Sequence, residues 1–67
     1  MTIYARHGDE LFVQEDIDGS WHTFYRQATG ARGRYRVTSL LLPDRATKEE
    51  AKADLAAYAE KNGYPEV

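Results

Sequence analysis

Cysteine is absent, which excludes disulfides, thiolate metal sites and thiol nucleophiles from the start. Small secreted domains commonly depend on such staples, so a reducing cytoplasm is the expected compartment. Long apolar runs are missing too. The longest lies around Leu40-Leu41-Leu42, far short of the ~20 residues that span a bilayer, so no membrane association is expected. Arg6, His7, Asp9 and Glu10 crowd the region where a signal peptide would carry its apolar stretch. No repeat, linker or low-complexity segment is visible, so residues 1–67 are read as one domain. A chain this short buries only about 60% of its unfolded surface, and its core must be thin.

The net charge of −2 hides an uneven distribution. Residues 1–20 sum to −4, residues 21–45 to +4 and residues 46–67 to −2. The basic middle holds Arg26, Arg32, Arg34, Arg36 and Arg45. It suits a phosphate backbone, an acidic protein, or charge balance with neighbouring acidic strands.

Residues rich in Ile, Tyr, Phe and Val predict strands over about 2–7, 10–16, 21–27 and 34–42. Gly8-Asp9 reads as a two-residue hairpin loop, which would set Ala5 opposite Phe12 and Tyr4 opposite Val13. Asp18-Gly19 reads as a second one. That loop would set Ile17 opposite Ser20, Val13 opposite Phe24, Phe12 opposite Tyr25 and His22 opposite Glu15. A helix over about 48–61 follows from Thr47 and Glu50, spaced as a capping box, and from Asn62-Gly63 as a left-handed stop. The fold class is therefore α+β: three to four antiparallel strands, then one carboxy-terminal helix packed on one face. In this register Tyr4, Leu11, Val13 and Phe24 share one sheet face. Ile3, Ala5, Phe12, Trp21 and Tyr25 share the other, which one short helix cannot also cover. A one-residue slip would exchange the faces.

The chemistry-bearing patterns are few. Asp16, Asp18 and Ser20 lack the EF-hand spacing and read as turn residues. The loop Thr29-Gly30-Ala31-Arg32-Gly33-Arg34 lacks the Gly-Lys-Ser/Thr ending of a P-loop. His7 and His22 find no third ligand for zinc. No nucleophile–base–orienter set can be assembled, so no enzyme, metal or cofactor is expected.

Ile3-Tyr4-Ala5-Arg6-His7-Gly8-Asp9-Glu10 resembles the opening of the histidine phosphatase family. The resemblance implies His7 as phosphorylated nucleophile and Arg6 as phosphate ligand. That family needs a much larger α/β domain, so the segment is read as a hairpin turn. Strands followed by a helix, with Gly19-Ser20-Trp21 early and Thr47-Lys48-Glu49-Glu50-Ala51 opening the helix, resemble the arm-type DNA-binding domain of phage integrases. That resemblance spans about residues 19–60. It implies a sheet inserted in the major groove, with contacts from Arg26, Arg34 and Arg36 and from Tyr25 or Tyr35.

The expected binding surface is Phe12, Trp21, Tyr25, Arg26, Arg32, Arg34, Tyr35 and Arg36. Exposed aromatics with arginine favour a protein interface, that of an interaction module or a small regulator or inhibitor, with an unknown partner or by self-association. DNA is the alternative partner, which the acidic overall balance places second.

Overall fold

A computed structural model describes residues 2–30 and 33–67. The expected α+β architecture is present. Strands β1 (Tyr4–Arg6), β2 (Asp9–Glu15), β3 (Trp21–Gln27) and β4 (Tyr35–Arg36) form one antiparallel sheet in the order β1-β2-β3-β4. Helix α1 (Lys48–Asn62) follows them.

Both hairpins form, each in a different register from the one expected. The first loop is His7-Gly8, not Gly8-Asp9, and β1 pairs Tyr4 with Leu11, Ala5 with Glu10 and Arg6 with Asp9. His7 has φ 42° and Gly8 φ 88°, and a type I′ turn needs positive φ at both loop residues. The shift is two residues, so Tyr4 stays on the face of Leu11 and Val13.

The second loop holds three residues, Ile17-Asp18-Gly19. The Asp16 N–H donates to the Ser20 carbonyl at 2.7 Å and the Gly19 N–H to the Asp16 carbonyl at 3.0 Å. Gly19, at φ 85°, supplies the left-handed residue that closes a loop of this length. One extra loop residue changes the parity of β3. Phe12 therefore pairs with Phe24, Leu11 with Tyr25, Gln14 with His22 and Glu15 with Trp21. The expected pairings of Val13 with Phe24, Phe12 with Tyr25 and His22 with Glu15 are corrected accordingly, and the β3 side chains change faces.

The fourth strand is shorter than the expected 34–42. After Tyr35–Arg36 the Val37 N–H still donates to the Thr23 carbonyl, at 3.0 Å. The chain then turns, with the Leu41 and Leu42 N–H groups both donating to the Thr38 carbonyl. Three consecutive leucines cannot all face a core from a strand of alternating sides. The turn buries Leu42 and leaves Leu40 95% exposed. Arg45 then returns to the sheet, exchanging backbone hydrogen bonds with Trp21 at 2.7 and 2.8 Å.

The helix begins and ends where the sequence places its caps. The Glu50 N–H donates to Thr47 Oγ1 at 3.3 Å, and Gly63 is left-handed at φ 74°. The Glu50 side chain accepts from the Thr47 hydroxyl at 2.9 Å, whereas in a full capping box it would accept from the Thr47 N–H. Ala51, Leu55 and Ala59 are buried. Ala51 and Leu55 join Leu11, Val13, Val37 and Leu42 in the core. Leu55 is the one large aliphatic anchor on that face, and its burial contributes about 1.5–3 kcal/mol. Beyond the helix, residues 65–67 lie against the outer edge of β1. The Ala5 N–H donates to the Pro65 carbonyl and the Val67 N–H to the Ile3 carbonyl. No helix is long and apolar enough to cross a membrane among the described residues.

Candidate functional site

The parity of β3 decides what the two sheet faces offer. On the face away from α1, Phe12 and Phe24 stack with ring centroids 6.3 Å apart. They are only 2% and 3% exposed although no helix lies over them. Arginine side chains lie across the two rings. The Arg26 guanidinium lies 5.0 Å from the Phe12 ring centre and the Arg34 guanidinium 4.0 Å from that of Phe24. Such contacts join cation–π attraction to burial of the apolar arginine stem.

The arginines of this face are also paired. Arg26 Nε donates to Glu10 Oε1 at 2.9 Å. Arg34 donates to Gln14 Oε1 at 2.7 Å. Arg36 bridges the Asp16 and Asp44 carboxylates, reaching both oxygens of Asp44 at 2.8 and 3.1 Å. Asp44 also lies against Nδ1 of the fully buried His22, without hydrogen-bond alignment. His22 Nε2 donates to the Val37 carbonyl at 2.7 Å. Sequence reasoning missed this His22–Asp44–Arg36–Asp16 chain, because its members come from β3, β4, the residue just after β2 and the loop before α1.

The helix side is built differently. A groove of about 730 Å³ runs along the flank of α1. Its floor is Tyr4, Val13, Trp21 and Leu55, and Ala53 and Ala56 form part of the helical wall. Lys48 and Lys52, one turn apart, line it from the helix. Glu15 at the end of β2 and Glu66 beside β1 line it from the sheet. Lys48 Nζ sits 5.9 Å from the centre of the Trp21 ring. None of these four charges has a salt-bridge partner among the described residues.

The expected surface therefore divides. Trp21, Tyr25 and Tyr35 lie on the helix side, with Tyr25 and Tyr35 packed at 5.5 Å. Phe12, Arg26, Arg34 and Arg36 lie on the other side, and Arg32 falls outside the described residues. The expected grouping of Phe12, Trp21 and Tyr25 on one uncovered face is thus corrected by the three-residue loop. Tyr4, Lys48 and Lys52 were not anticipated at a site. The i,i+4 lysines on one helix flank were the available signal.

His22 is buried and engaged, and His7 sits in a turn with its ring edge-on to Tyr64 at 5.7 Å. Arg6 contacts Asp9 and donates to the Tyr58 hydroxyl at 3.4 Å. Burial pushes the Tyr64 phenol above its ordinary value, with Tyr58 beside it adding to the effect. No group of three or more His, Asp or Glu side chains is placed to hold a metal ion among the described residues. No family model, curated protein or solved structure matches the chain.

Proposed function

We propose that this chain is a small non-enzymatic binding module that docks a protein partner in the groove beside α1. The observation that carries the reading is the half-buried Trp21 in the groove floor, flanked by lysines and glutamates without a salt-bridge partner among the described residues. Aromatic floors rimmed by charge are the usual anatomy of a protein interface. The DNA reading has less to draw on, since Arg26 and Arg36 are held by carboxylates of the same chain. Breaking those pairs to meet phosphate would leave Glu10, Asp16 and Asp44 facing the nucleic acid.

The test compares affinity capture by the native chain and by a Trp21→Ser variant whose circular dichroism is unchanged. A partner held by the first and lost by the second is the expected result. The same partners held by both would remove the groove from consideration. A gel-retardation assay at low salt should show no shift. A shift that fades steeply as salt rises would restore the arm-type DNA reading.

A further inference from the structure

The charges of the groove say more about what fills it. Those contributed by the helix are basic, Lys48 and Lys52, and those contributed by the sheet side are acidic, Glu15 and Glu66. Each lies beyond the 4.0 Å salt-bridge limit from any opposite charge among the described residues. The contrast with Arg6, Arg26, Arg36 and Arg45 is direct, because each of those has its acid within the chain.

A surface with a basic side and an acidic side is complementary to a copy of itself turned about a two-fold axis. In an isologous contact, whatever residue i meets on the partner also meets i from the other side. We propose that the groove is filled by a second copy of this chain, with Lys52 of each copy on Glu15 of the other. This rests on the reading of the groove as a protein-docking surface. The two Trp21 side chains come to lie in the interface. Ala53 and Ala56 let the second backbone approach closely. A standard interface takes about 800 Å² from each partner. That is roughly a fifth of this chain's 4452 Å² surface, and the pairing is expected to depend on concentration.

Sedimentation velocity on the full chain over rising concentration tests this. Dimer is expected at high concentration, accompanied by a change in emission from Trp21, the only tryptophan. Lys52→Glu alone and Glu15→Lys alone each place like charges across both contacts. Each should weaken association by at least about tenfold. An equimolar mixture of the two variants should restore it, since both contacts of the mixed pair again join opposite charges. Both positions are exposed, and circular dichroism verifies that each variant folds. A native chain that stays monomeric at about millimolar concentration overturns the proposal, and so does a mixture no better associated than its components. A monomeric chain that still captures another protein through Trp21 would overturn the self-association and leave the module reading standing.

Discussion

The two faces of the sheet are closed by different means. On one side a helix of small residues leaves part of the apolar floor beneath a groove. On the other, with no helix at all, Phe12 and Phe24 are more completely buried than Trp21, because Arg26 and Arg34 fold across them. Backbone elements are thus not the only way to cover a sheet. Long side chains do so when opposite charges or amides fix them, as Glu10 and Gln14 do here. The same pairing that buries the arginine face occupies its charges. The charges of the groove have no salt-bridge partner among the described residues.

The largest expected effect breaks this comparison if it fails. Phe24→Ala removes a ring at the centre of the arginine face and should cost about 3–5 kcal/mol, like other buried phenylalanines. Trp21→Ala removes a larger side chain that is only half-buried, and should cost less than half as much. Urea unfolding of the two variants measures both. Equal losses would mean that the groove floor is as much core as the arginine face.

A smaller effect sharpens how the arginine face is held. Asp44→Asn keeps the shape but withdraws the charge from both Arg36 and His22. Asp44 is partly exposed and Arg36 retains Asp16, so the loss should fall at or below the lower end of the range of about 1.5–3 kcal/mol for a hydrogen bond to a charged group. In a double-mutant cycle with His22→Gln the two losses should not add, because both break one contact. Additive losses would show that His22 and Asp44 act separately.

The parts of this fold that were legible in the sequence are those set by neighbours in the chain. Thr47, Glu50 and Gly63 mark the helix because capping is decided within a single turn. Asp18-Gly19 marks a hairpin for the same reason. Whether that hairpin's loop holds two residues or three is not decided by Asp-Gly, since Gly19 is left-handed in either. That one residue reverses every side chain of β3, so the site's composition depended on what the local signal left open. The arginine pairs were illegible for a related reason. Arg26 and Glu10, or Arg36 and Asp16, are brought together only by the register.

The smallest expected effect belongs to the hairpin tip, which lies on neither face. The Ser20 hydroxyl and N–H donate to Asp18 Oδ1, at 2.6 and 3.0 Å, and the hydroxyl above all holds this carboxyl below its ordinary value. A carboxyl held lower in the folded state than in the unfolded chain adds stability above the unfolded value of about 3.9. That increment disappears as pH falls from there through the folded value. The native chain should therefore be slightly more stable than an Asp18→Asn variant at pH 7, with the difference closing in strong acid. Thermal unfolding of both proteins at each pH reads the gap. Because Asp18 touches neither the groove nor the arginines, Trp21 emission at pH 7 should be the same in both proteins. A changed emission would mean that the tip and the groove are coupled, and that the two faces are less independent than their contacts make them.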